Sequence, residues 1–186
     1  MEKNFIIAGF GGQGVLLAGE VLAAAFMLAK KNVTWYPSYG AEMRGGTVNC
    51  EIVASDDEVS AVNKKEADFI VALNQASFDK FITKIKKGGY LIANSTLAKE
   101  IKSRTDINYV FAPITKLAEN LGNIKMANIL ALGILAKVSK MVTLENLQEA
   151  LDYVLPPHRK NLLPMNFEAL KIGYEYDLLP VEPKIS

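Results

Sequence analysis

Ile6-Ile7-Ala8-Gly9-Phe10-Gly11-Gly12-Gln13-Gly14-Val15-Leu16-Leu17-Ala18-Gly19 is the stretch that decides the fold. An apolar run, Phe5 to Ala8, ends in a glycine cluster, and an apolar segment without a strong breaker then continues to about Ala29. That is how a buried parallel strand reads when it turns through a tight loop into a helix. Gly9, Gly11 and Gly14 stand at the G-x-G-x-x-G spacing. There the three glycines serve the turn, the close approach of backbone to a phosphate, and helix-on-strand packing. With Gly12 and Gln13 between them they form a candidate anion or phosphate loop, because the helix start offers free N–H groups and a positive dipole end.

A dinucleotide-binding unit also needs an Asp or Glu at the end of the second strand to hold the ribose hydroxyls. Here the second strand reads Val33-Thr34-Trp35-Tyr36 and runs into Pro37-Ser38-Tyr39-Gly40, with no acid at its tip. Two readings follow. One is a free-standing NAD(P)-binding dehydrogenase, favoured by the glycine loop alone. The other is a glycine turn that packs a Rossmann-like unit and binds no nucleotide of its own.

The 186 residues are enough for one compact domain, taken here as residues 1–186, with a C-terminal helix and tail from about 156. Half of them are hydrophobic, and 21 basic residues balance 20 acidic ones, which argues against a nucleic-acid partner. Cys50 is the single cysteine and His158 the single histidine. Such a chain cannot hold an iron–sulfur cluster unaided or close an internal disulfide, and no metal site is expected. It opens almost directly on a strand, and the Val15–Ala29 run is short for a membrane span. A soluble, cytoplasmic protein is the expectation.

Further along, Thr47–Ala54 alternates apolar and polar residues, which predicts a half-buried strand that is antiparallel or at the sheet edge. Ala67–Asn74, Tyr90–Asn94 and Asn108–Ala112 read as core strands. Gln75–Ile85 reads as a crossover helix that Lys86-Lys87-Gly88-Gly89 would end. Beyond Pro113 the pattern is helical only: Pro113–Leu121, Lys125–Lys140, a helix opened by Thr143, a Pro156-Pro157-His158 bend, and Leu162–Tyr174 docking outward. The tail from Leu178 reads as extended. These elements predict a three-layer α/β/α fold with a mostly parallel Rossmann-like sheet and one antiparallel or edge strand. The first helix and the Lys125–Lys140 helix are apolar on most faces. Asn128 inside the latter reads as a satisfied core amide. One sheet covers one side of such helices, so further cover is expected from this chain or from partners, including self-association of the isolated chain.

The loop Ser38-Tyr39-Gly40-Ala41-Glu42-Met43-Arg44-Gly45-Gly46 joins an acid, an Arg, an aromatic and three glycines at the expected carboxyl edge of the sheet, where open α/β folds bind ligands. Ser38, Tyr39, Glu42, Arg44, Gly45 and Gly46 are therefore the candidates for a loop facing a partner or substrate. No nucleophile elbow, Walker loop or acid–base pair is present, and no catalytic residue is assigned.

Gly9-Phe10-Gly11-Gly12-Gln13-Gly14-Val15, this loop with Thr47, and Asn128 with Leu132-Gly133 together resemble the γ subunit of the 2-oxoacid:ferredoxin oxidoreductases, equivalent to one domain of the single-chain pyruvate enzymes. The Ser-Tyr-Gly…Glu-Met-Arg-Gly-Gly form is similar to the 2-oxoglutarate branch; Ala41 departs from it, since a proline is common there. The resemblance implies the corresponding pyruvate:ferredoxin oxidoreductase domain III fold and a non-catalytic role. The complex would oxidise a 2-oxoacid with coenzyme A and pass electrons to ferredoxin. Thiamine diphosphate, Mg and iron–sulfur clusters would sit on alpha, beta and ferredoxin-like delta partner subunits, with none in this chain. The isolated chain is then expected to be inactive. A small-ligand-binding module without enzymatic role is the remaining alternative.

Overall fold

The computed structural model describes residues 2–38, 47–59, 64–99 and 104–178. Its strands are β1 (Glu2–Phe10), β2 (Asn32–Ser38), β3 (Thr47–Ser55), β4 (Ala67–Ala72), β5 (Ile85–Asn94) and β6 (Asn108–Ala112). Its α-helices are α1 (Val15–Leu28), α2 (Gln75–Phe81), α3 (Ile114–Asn120), α4 (Ala127–Ser139), α5 (Leu144–Val154) and α6 (Leu163–Glu175). The six strands form one sheet in the order β2-β3-β1-β4-β5-β6. β1, β4, β5 and β6 run parallel, while β3 is antiparallel to both β1 and β2. With helices on both faces, this is the expected α/β/α architecture. The antiparallel strand is an interior one.

Alternation along each strand sorts the core into two layers. Phe5, Ile7, Cys50, Ile52, Phe69 and Val71 share the large layer with α1, α4, α5 and α6. Ile6, Ala8, Ile70, Ala72, Leu91 and Ala93 meet Phe78 and Phe81 of α2 in the small one. Each large side chain buried in these layers stabilises the fold by roughly 1.5–3 kcal/mol.

β3 is buried from Asn49 to Ser55, not half-buried. The reason is that its polar face is covered as well: Lys84 Nζ reaches Glu51 Oε1 at 3.6 Å, and Lys80 Nζ donates to Thr47 Oγ1 at 3.0 Å. The α2 helix also stops earlier than its sequence suggests. It ends at Phe81, a short 3-10 turn covers Ile82–Lys84, and Lys86-Lys87-Gly88-Gly89 belongs to β5. The irregularity sits where the β4–β5 register shifts between Ala67 and Phe69.

The extra cover for the apolar helices comes from this chain. α5 packs against α1, and α6 lies along α4. α6 therefore docks inward rather than outward, through a glycine-to-glycine crossing. A Cβ on Gly133 would strike Leu170 O and come within 2.8 Å of Tyr174 N; one on Gly173 would strike Leu130 O. The expectation of self-association thus loses the ground the apolar helices gave it. Thr143 caps α5 as read from sequence, in a reciprocal capping box with Asn146, and Pro113 stands immediately before α3. The region beyond Leu178 lies outside the described residues.

The helix crossing makes a direct prediction. Gly133→Ala places a methyl against backbone that no side-chain rotation can clear, so it should cost about 3 kcal/mol. Chemical denaturation of the variant should show this loss, and a change within experimental error would mean that the two helices can separate freely.

Candidate functional site

The glycine turn sits at the carboxyl end of β1, where the chain leaves for α1 on one face while β4 feeds α2 on the other. Such a switch point opens a crevice above the sheet. Gln13 closes the turn: its N–H donates to Phe10 O at 3.1 Å, and its Oε1 accepts from Phe10 N at 2.7 Å and from Asn74 Nδ2 at 2.8 Å. A Cβ on Gly9 would meet Gln13 Oε1 at 2.8 Å and Val15 Cγ2 at 2.9 Å. Gly9 is thus a packing glycine, whereas Gly11 and Gly12 are exposed with nothing within 4 Å of where a Cβ would stand. Gly14 caps α1 in the left-handed region at φ 70, and a Cβ there would drive into the Asn128 amide. Two of the four glycines thus pack and turn, and two leave backbone open.

Asn128 is the core amide its sequence context predicts, but only half of it is satisfied. Its Nδ2 donates to Gly14 O at 2.9 Å, and its Oδ1 is buried without a partner. It is a half-satisfied amide that holds the turn from behind. Beneath α1, Cys50 Sγ lies 3.6 Å from Val15 O, and burial pushes its thiol up to about 12. A Cβ on Gly19 would collide with that sulfur, so Cys50 spaces the helix from the sheet.

Two further asparagines stand at this edge: Asn94, at the end of β5, lines the crevice floor, and Asn74, just past β4, supports it through its bond to Gln13. Asn94 Nδ2 donates to Leu73 O at 3.1 Å and to Thr115 Oγ1 at 2.7 Å, while its Oδ1 accepts from Thr115 N and Thr96 N. Asn74 caps α2 by accepting from Ser77 N at 2.8 Å. Above them lies a crevice of about 350 Å³, bounded by Gly12 and Gln13 on one side and by Leu97, Ile124 and Lys125 on the other. Its asparagine and threonine floor is paired within the chain, and both the Lys125 ammonium and the Glu119 carboxylate, which lies 3.4 Å from Lys116 Nζ, line it beside the apolar Leu97 and Ile124. Leu73-Asn74 and Ala93-Asn94, each an Asn closing a core strand, were the sequence signal for this floor.

Ser38 ends β2 opposite Asn49, and Thr47, which opens β3, pairs with Phe10 of the glycine turn. Both strand ends that flank the arginine loop therefore lie at the carboxyl edge, Thr47 beside the turn and Ser38 one strand further out. Tyr39, Glu42, Arg44, Gly45 and Gly46 themselves lie outside the described residues. His158 is exposed in the Pro157–Leu162 turn. Among the described residues no three His, Cys, Asp or Glu side chains gather as metal ligands, and no helix is long and apolar enough to cross a membrane.

Sheet order also bears on the dinucleotide reading. β3 fills the place beside β1, so the tip of β2 lies two strands away, roughly 10 Å at ordinary strand spacing. An acid at that tip would stand far from a ribose placed over the glycine turn.

Fold and site together define an open α/β domain with an amide-built ligand edge, and comparison with known proteins makes this specific. The chain belongs to the pyruvate ferredoxin/flavodoxin oxidoreductase family, whose model matches residues 4–176. It is 34% identical over 180 residues to the 2-oxoglutarate synthase subunit KorC of Methanocaldococcus jannaschii, covering 94% of each chain. It is also 34% identical over 176 residues to the ketoisovalerate oxidoreductase subunit VorA of Methanothermobacter thermautotrophicus, spanning 94% of this chain but 36% of that protein's length. Among solved structures, the gamma subunit of a keto/oxoacid ferredoxin oxidoreductase from Geobacter sulfurreducens superposes with a TM-score of 0.84 at 28% identity, over 94% of this chain and 95% of that one.

Calorimetric titration of the chain with NAD(H) or NADP(H) should give no binding in the micromolar range. Micromolar affinity for either would contradict the role assigned to the inserted β3.

Proposed function

We propose that the chain is the non-catalytic gamma subunit of a thiamine diphosphate-dependent 2-oxoacid:ferredoxin oxidoreductase, converting 2-oxoglutarate with coenzyme A and ferredoxin to succinyl-CoA and CO2. The observation that carries this reading is the end-to-end match to separate subunits of such enzymes. The site supports it, because the described part of the ligand-facing edge is built mostly from backbone and side-chain amides, and the carboxylate lining it, Glu119, is paired with Lys116. The match to KorC along 94% of both chains favours 2-oxoglutarate, while equal identity to VorA keeps ketoisovalerate as the competing substrate.

Thiamine diphosphate with Mg, and the iron–sulfur clusters, would be held by alpha, beta and delta partners in the cytoplasm, and the thiamine supplies carbanion stabilisation when bound. This chain's part is positional. The exposed Gly11–Gly12 backbone and Lys125 would receive an anionic group, and Gly12→Asp would set a like charge against it. The arginine loop, which joins Ser38 to Thr47 at this edge, would face the thiamine-bearing partner or its anionic substrate. Arg44 can grip a carboxylate or phosphate with paired donors.

Arg44→Ala in the reconstituted complex should lower 2-oxoglutarate oxidation about 10- to 100-fold, the worth of a charge-assisted pair. The melting temperature of the isolated chain should stay unchanged. Full activity in an intact complex would refute the assignment of this loop, and a large loss of stability would return Arg44 to the fold.

A further inference from the structure

We draw no further inference here: the strongest candidate, the crevice between the glycine turn and the exposed Leu97 and Ile124 side chains, belongs to the site already described, and its mixed lining of Lys125 and Glu119 favours no particular occupant.

Discussion

The contact between the Asn128 amide and the Gly14 turn ties the two halves of the molecule together. Gly14 must take a left-handed conformation to start α1, and the side chain that holds its carbonyl comes from α4, 114 positions later. α4 is itself fixed by the glycine crossing with α6. The candidate ligand edge is therefore positioned by the last helices of the chain. A residue with a Cβ at Gly14 would disturb both the turn and the seat of α4.

The second constraint is the insertion of β3 between β1 and β2. In an ordinary dinucleotide-binding unit the strand after the first helix lies beside the first strand, and its tip reaches the ribose. Here an antiparallel strand takes that place and brings its first residue, Thr47, against Phe10. The change removes one recognition element and sets Thr47, the residue that follows the arginine loop, beside the end of β1.

Much of this was legible in the sequence, because local physics decides it. The strand–glycine–helix opening, the β6 strand at Asn108–Ala112, Pro113 at the start of α3 and the Thr143 cap each follow from neighbours within a few residues. Lys86-Lys87-Gly88-Gly89 imitated a helix end because a register shift in the sheet uses the same residue types as a helix stop. The burial of β3 escaped reading because Lys84 and α2, which cover its polar face, come later in the chain. The inward docking of α6 depended on two glycines, Gly133 and Gly173, whose meeting is purely tertiary. Asn128 was visible as an oddity, but only the fold shows that its partner is the turn. The arginine loop remains a sequence argument, strengthened by the placement of its two flanking strand ends.

The most direct measurement is add-back. The alpha, beta and delta partners are assayed for 2-oxoglutarate-dependent ferredoxin reduction with this chain omitted, then with it restored. The account predicts negligible turnover from the partners without it, none from this chain alone, and recovery on mixing in equal proportion. Full turnover by the partners in its absence, or ferredoxin reduction by this chain alone, would contradict its assignment as a non-catalytic subunit that completes the assembly.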